Sequence, residues 1–361
     1  MTDQKNPRTP VSDAATMPSS QPPDSSAKSD LTTSSTLSVA PESSKDNPPT
    51  SAAPKTKPLT SPVSRTAQKD QSKNWLLLGR TQGQRGAEIV AGLRATIDPT
   101  PENRALARFA GQIAAGKTTA LNPEQVGVGF LIARPLLFRK LIDQAAASDR
   151  PLTIVELAAG FSARGLHLAH EQPTWRVIEI DLPDVVTEKQ LRLRDAHSRI
   201  PTNLIWRAAD LGAVPLAEVL GGEQVDVITA EGLLMYFNPD EQRQILRSVS
   251  GSLRSGGVFI FDVGWKQGAE QAARAQSSFD LFSKHAGDLS LGLLKDVEEA
   301  KTRYAETGFE QFTVHVPSEL ATTLAVRAPD VDLSVLVVAK KPSENPPAVS
   351  TAAELPTTKS G

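Results

Sequence analysis

Five short runs rich in β-branched and apolar residues recur along the chain with longer amphipathic stretches between them: LTIVEL (152–157), RVIEID (176–181), LIWRAAD (204–210), VDVITAE (225–231) and GVFIFDV (257–263). Runs of this kind, each followed by room for a helix, are the pattern of βα units and constrain the chain to a parallel sheet covered by helices. Two further runs, FEQFTVHV (309–316) and VDLSVLVVAK (331–340), follow a polar, helix-like stretch and need no helix between them, so this final pair is expected to be antiparallel. A nicotinamide-type Rossmann sheet would instead need a sixth parallel strand with its own crossover helix. The expected class is α/β, a Rossmann-like, seven-stranded, mostly parallel sheet with an antiparallel terminal strand. Before it, GAEIVAGLRATID, PENRALARFAGQIAAG and FLIARPLLFRKLIDQAAA carry apolar residues three and four apart and read as a helical N-terminal cap.

Composition sets the limits of the folded part. Residues 1–74 contain no Phe, Trp or Tyr and hold 11 of the 27 prolines, so they bury too little apolar surface to offset their ordering entropy. Residues 342–361 repeat that composition. The expected organisation is a disordered tail over 1–74, one domain over 75–341 and a second disordered tail over 342–361. The domain divides into a helical prelude at 75–150 and a core at 151–341 with an insertion at about 266–300. The segment PKTKPLTSP (54–62) fits a linker better than a PxxP ligand.

A net charge of −2 gives no basic field for nucleic acid, and the absence of cysteine excludes disulfides, thiolate metal sites and a cysteine nucleophile. No metal site is expected. No run is long and apolar enough for a signal peptide or a membrane span, which makes a cytoplasmic protein the expectation.

The acidic residues carry the functional signal. The first strand ends in Glu156 and enters LAAGFSARGLHLA, a small-residue turn opening a helix, with glycines only at 160 and 165 and no GxGxxG spacing. The second strand ends in Asp181, about twenty residues past the turn, where a carboxylate can accept from two ribose hydroxyls. Asp210, followed by Leu211, ends the third strand and suits an adenine amino group and ring. Glu231 ends the fourth. A strand-end acid alone often caps the next helix, but four in succession at the ligand-binding edge of one sheet point to a bound nucleoside. Asp262 on the fifth strand is read as a cap or structural acid.

With these residues in place the chain resembles the leucine carboxyl methyltransferase-like group, which includes polyketide O-methyltransferases and protein C-terminal carboxyl methyltransferases. The carriers are FLIARPLLFRKLID, IVELAAGFSARGLHLA, RVIEIDLPDVVTEKQ, AADL and ITAEGLLMYF, spanning roughly 125–263. The resemblance implies the methyltransferase form of the Rossmann-like fold and S-adenosylmethionine as cofactor. By that likeness Arg134 would meet the cofactor's methionine carboxylate, Glu156 and Gly160 would shape the turn, and Asp181 would hold the ribose. Asp210 and Leu211 would meet adenine, and Glu231 would lie near the methionine amine. Arg164 and Lys189 occupy motif positions implied to orient the turn and Asp181. The chain departs from the pattern at Ala158, commonly Gly, and at Ser162, commonly Asp. Both bear on cofactor affinity, and an Ala methyl fits the turn while its φ stays negative.

The implied reaction is methyl transfer to a carboxylate or acidic hydroxyl of a small molecule or peptide. A carboxylate acceptor is already ionised near neutral pH and needs no strong base. His167, His170, His197, His285 and His315 fall outside the motifs and read as surface or packing residues, so no catalytic residue is assigned. Tyr236 is a candidate to line the acceptor pocket. Arg94 and Lys284 are read as solvated surface cations, and the insertion around FDLFSKHAGDLSLGLL as part of a cap over the acceptor. The alternative is a non-catalytic, methyltransferase-like binding protein that uses its tails for partners. Oligomeric state is left open.

Overall fold

In a computed structural model of the protein, the described residues are 82–108, 111–112, 128–148, 150–266, 273 and 292–344. The tail over 1–74, nearly all of the tail beyond 344, and the expectations for Lys284 and His285 lie outside them.

The described residues open with helices α1 (Gln82–Ile97), α2 (101–108) and α3 (Val128–Ala145). The alternating part follows as β1 (Thr153–Leu157), α4 (Arg164–Glu171), β2 (Arg176–Asp181), α5 (Pro183–Asp195), β3 (Leu204–Ala208), α6 (Leu216–Val219) and β4 (Val225–Ala230). A single 3₁₀ turn, Leu234–Tyr236, leads to α7 (Pro239–Ser252) and β5 (Leu253–Gly264). The described chain finishes with α8 (Glu299–Arg303), β6 (Gln311–His315), α9 (Pro317–Thr323) and β7 (Ser334–Lys340).

The seven strands form one sheet in the order β3-β2-β1-β4-β5-β7-β6. Pairings from β3 to β5 are parallel, and β7 runs antiparallel to both β5 and β6. The expected fold class and its antiparallel terminal strand are therefore present. One detail differs: α9 lies between β6 and β7. Its sequence, PSELATT, begins with Pro at the first helical position, and Asp332 accepts from the Ser318 N–H and hydroxyl, which satisfies the helix start. The carboxyl side also extends slightly past its expected boundary, because the Gly256 N–H donates to Pro342 O and the Glu344 N–H to Ser255 Oγ.

Successive strand residues face opposite sides. Ile154, Val177, Val227, Ile260 and Leu336 point into a core shared with α1 to α5 and α9. Val155, Ile178, Ile228, Phe259, Phe261 and Val337 point into a second core with α6, α7 and α8. Both faces are covered, which is why the strands read as continuous apolar runs. On the first face the register sets Glu156 beside Glu179. Glu179 is buried, pairs with Lys189 Nζ at 2.7 Å and accepts from Trp206 Nε1 at 2.6 Å.

That held carboxylate explains Gly165 in α4. A methyl there would overlap Glu179 Oε1, on a carboxylate whose other oxygen, Oε2, is held by Lys189 and Trp206. Gly165→Ala is expected to lower unfolding stability by about 1–3 kcal/mol, the usual cost of overpacking. Denaturant titration measures it, and an unchanged midpoint would contradict the packing described.

Candidate functional site

The carboxyl ends of β1, β2 and β4 meet where the strand order reverses, the place at which doubly wound sheets bind ligands. Leaving β1, the chain turns through Ala158 and Gly160, both left-handed, with φ of 50° and 51°. The Gly160 N–H donates to Asp181 Oδ2 at 2.6 Å, and the Leu182 N–H to Asp181 Oδ1 at 2.7 Å. One carboxylate thus fixes the turn after β1 and the exit from β2. Each of its oxygens keeps a second lone pair. Burial raises the Asp181 carboxyl above its ordinary value, opposed by those two N–H groups and by the charge of Lys189.

The condition placed on Ala158 fails, because its φ is positive. In that region its methyl group crowds the following carbonyl oxygen, a strain of about 1–2 kcal/mol that glycine does not carry. Part of any relief is returned through the greater freedom of glycine in the unfolded chain. Ala158→Gly is therefore expected to raise unfolding stability by about 0.5–1 kcal/mol. Urea melts of the two proteins compare them, and a loss of stability would show that the turn does not strain Ala158. Ser162, the second departure, accepts from the Arg164 N–H at 3.2 Å and so satisfies one free donor at the start of α4.

Beside this turn lies a buried network of three guanidinium groups and three carboxylates. Glu231, immediately after β4, accepts at Oε1 from Arg94 Nη2 at 2.6 Å and Arg134 Nε at 3.1 Å, and at Oε2 from Arg164 Nη1 at 2.5 Å. Arg164 Nε also donates to Glu156 Oε1 at 2.6 Å, and Arg134 Nη1 to Asp262 Oδ2 at 3.2 Å. The Glu231 side chain is only 4% exposed. Burial alone would raise its carboxyl, but Arg94, Arg134 and Arg164 outweigh that and hold it far below the ordinary glutamate range. At Asp262 burial prevails and the carboxyl is raised, despite Arg134 and the Gly232 N–H. Gly232 supplies that N–H at 2.6 Å from a left-handed backbone, φ 72°, that favours glycine.

The structure thus brings Arg134, Glu156 and Glu231 into one cluster and ties Gly160 to Asp181. Asp210 and Leu211 stand nearby through the backbone, where the Ala209 N–H donates to Asp181 O at 2.9 Å. Asp210 is exposed and accepts from the Gly212 N–H, while Leu211 is half-buried against the second core. Tyr236 is half-buried, and burial pushes its phenol up to about 12, Arg134 opposing.

Two expectations need correcting. Arg94 is not a surface cation: its side chain is 15% exposed and bonded to Glu231. Helical spacing contained the signal, since Arg94 shares a stripe with Ala87, Ala91 and Ala95, which pack in the first core. Lys189 is bonded to Glu179 rather than to Asp181, which it reaches only through its charge. Gly232 went unnoticed because one glycine after a strand carries no pattern. Asp262 is the structural acid expected of it. His167, His170, His197 and His315 form none of the bonds of this network.

The family model described as leucine carboxyl methyltransferase matches residues 93–250, under half of the 361-residue chain. The match makes that segment similar to the S-adenosylmethionine-dependent methyltransferases, and the seven-stranded sheet has the Rossmann-like form. Within that class, the matched segment is similar to the leucine carboxyl methyltransferase family.

Among solved structures, an O-methyltransferase family protein from Burkholderia thailandensis is 14% identical, with 68% of this chain and 63% of that one covered and a TM-score of 0.42. Human N-acetylserotonin methyltransferase, solved with S-adenosylmethionine, is 13% identical, with coverages of 63% and 59% and a TM-score of 0.40. A Bordetella parapertussis protein is 17% identical, with coverages of 73% and 98% and a TM-score of 0.47. The chain spans less than two thirds of the length of the first two. No curated protein matches the sequence significantly.

Proposed function

We propose that the chain is an S-adenosylmethionine-dependent O-methyltransferase acting on a carboxylate or acidic hydroxyl of a small molecule or peptide. The observation that carries this reading is the buried arginine–carboxylate network placed beside the Asp181-held turn at the switch point of the sheet. The chemistry of the donor set fits the cofactor. Arg94 Nε and Glu156 Oε2 are buried without a hydrogen-bond partner among the described residues. One is a donor and the other an acceptor, as an amino-acid end carrying both charges requires. Arg134 and Arg94 would receive the carboxylate of that end, Glu231 and Glu156 its amine, and Asp181 the ribose hydroxyls. Gly160 would let backbone approach the cofactor, and Asp210 and Leu211 would face the adenine.

The bound cofactor supplies an electrophilic methyl group on sulfur. The protein's part is to hold an acceptor oxygen in line with it. With its phenol pushed up to about 12, Tyr236 stays protonated at neutral pH, so it can line the acceptor pocket as a donor but cannot serve as a base. An acceptor that arrives ionised or readily loses its proton meets that limit.

In this reading the chain carries one domain with a helical cap, its carboxyl side reaching at least Glu344, and the location is cytoplasmic. Neither nucleic acid nor membrane is a proposed partner. Among the described residues no helix is long and apolar enough to cross a membrane, and no group of His, Cys, Asp and Glu could hold a metal ion.

Calorimetric titration of the full chain with S-adenosylmethionine, with NAD as control, tests the proposal. Saturable binding of S-adenosylmethionine alone is the expected result, followed by methyl transfer to carboxylate or phenol acceptors. The strained Ala158 favours one second reading, a methyltransferase-like binding protein without activity. Binding with no transfer to any acceptor would select it, and no binding by folded protein would reject both cofactor readings.

A further inference from the structure

A second buried cation lies behind the site. Arg192, on α5, has a side chain 1% exposed. Its Nη2 donates to Glu88 Oε1 on α1, its Nη1 to Leu106 O on α2, and its Nε to Glu188 Oε1 at 3.0 Å. Glu188 also pairs at 2.5 Å with Arg108, the last residue of α2. The Arg192 guanidinium carbon sits 3.8 Å from the ring centroid of Phe161, the residue directly after Gly160 in the turn. One side chain of the core therefore touches two of the three helices of the N-terminal cap, α1 and α2, and the turn itself.

What it holds bears on the site. On α1, Ala87 neighbours Glu88, and its Cβ is 3.6 Å from where a Gly160 Cβ would stand. Six residues after Glu88 the same helix delivers Arg94 to Glu231. Helix α1 is thus pinned at Glu88, laid against the turn at Ala87, and inserted into the network at Arg94. The planar fork of an arginine is what permits bonds in the ring plane to α1, α2 and Glu188 while one face stacks on Phe161.

We infer that Arg192 is a positioning residue: it clasps α1 and α2 to the cofactor turn and so sets where Arg94 stands, an assignment that deepens the proposed function and rests on it. It touches no part of the network directly and acts through Glu88 and Phe161.

The test compares the full-length protein with Arg192→Met, Arg192→Lys, Arg94→Met and the Arg192→Met/Arg94→Met double variant. Hydrogen exchange without ligand comes first. Arg192→Met should speed amide exchange in 82–108 while leaving β1, β4 and β5 protected, and Arg192→Lys should fall between it and the parent, which keeps the question answerable if the methionine variant does not fold. Unchanged exchange in 82–108 overturns the clasp whatever the cofactor does. Titration with S-adenosylmethionine follows. Arg192→Met should weaken binding about tenfold, within the usual range of coupling between sites. If Arg192 works by placing Arg94, its removal should matter little once Arg94 is gone, so the two losses should fall short of adding. Full additivity in the cycle overturns the positioning role. A parent protein that shows the exchange pattern but binds no S-adenosylmethionine refutes the functional reading while leaving the clasp in place.

Discussion

Glu231→Gln should cost the protein about 3–5 kcal/mol of stability, the range expected when one partner of a buried ion pair is removed and the others remain. Arg94, Arg134 and Arg164 all point at this carboxylate, and only Glu156 and Asp262 would be left to balance them. For a domain of this size such a loss lowers the melting temperature by about 6–20 °C. Removing one surplus cation should repair part of the damage, so the double variant Glu231→Gln/Arg94→Met should melt above Glu231→Gln alone. The pH dependence has a defined sign. Because the folded carboxyl is held far below its ordinary value of 4.5, its stabilising contribution is complete above that value and is lost only as pH falls toward the depressed one. The variant should lack that acid limb. Asp262, raised by burial, acts in the opposite sense, contributing stability at low pH that fades as pH rises. Thermal melts from neutral pH down to about pH 3 would separate the two; a Glu231→Gln protein that melts with the parent would refute the charge balance described.

Asp181→Ala should abolish measurable cofactor binding or weaken it by at least about 100-fold, since two hydrogen bonds to a charged acceptor are lost at roughly 1.5–3 kcal/mol each. The same substitution strips the Gly160 and Leu182 N–H groups of their acceptor and loosens the turn. Asp181→Asn separates these effects. It keeps one acceptor oxygen, so it should bind S-adenosylmethionine more tightly than the alanine variant and more weakly than the parent. Equal affinity in all three proteins would remove Asp181 from the site.

The sheet was readable from the chain because strands buried on both faces must be mostly apolar, as TIVEL and VDVITA are. The acids were readable because each stands out against such a run. What their partners would be was not readable. Glu156 and Glu179 look alike in sequence, yet one receives Arg164 from α4 and the other Lys189 from α5, a choice made by how the helices cross the sheet. Arg94 was misread because a lone arginine in a helix resembles every solvated one. Only the alanines sharing its stripe mark the side that faces inward. The φ of Ala158 could not be foreseen either. Alanine avoids left-handed backbone by itself, and here the bond from Gly160 to Asp181 helps fix the turn that demands it. Helix α9 was passed over because no parallel crossover required one, although the pairing of β6 with β7 leaves room for it.

The place of β7 in the sheet has a consequence for how the molecule is made. Among the described residues this strand is the last, yet it is not at an edge: it is bonded on one side to β5 and on the other to β6, and β6 pairs with no other described strand. While the chain is being synthesised, β1 to β5 can assemble in order, but β6 must wait without a partner and β5 keeps an open row of backbone donors and acceptors. Until residues 334–340 emerge, that open row is the surface on which two nascent chains would join wrongly.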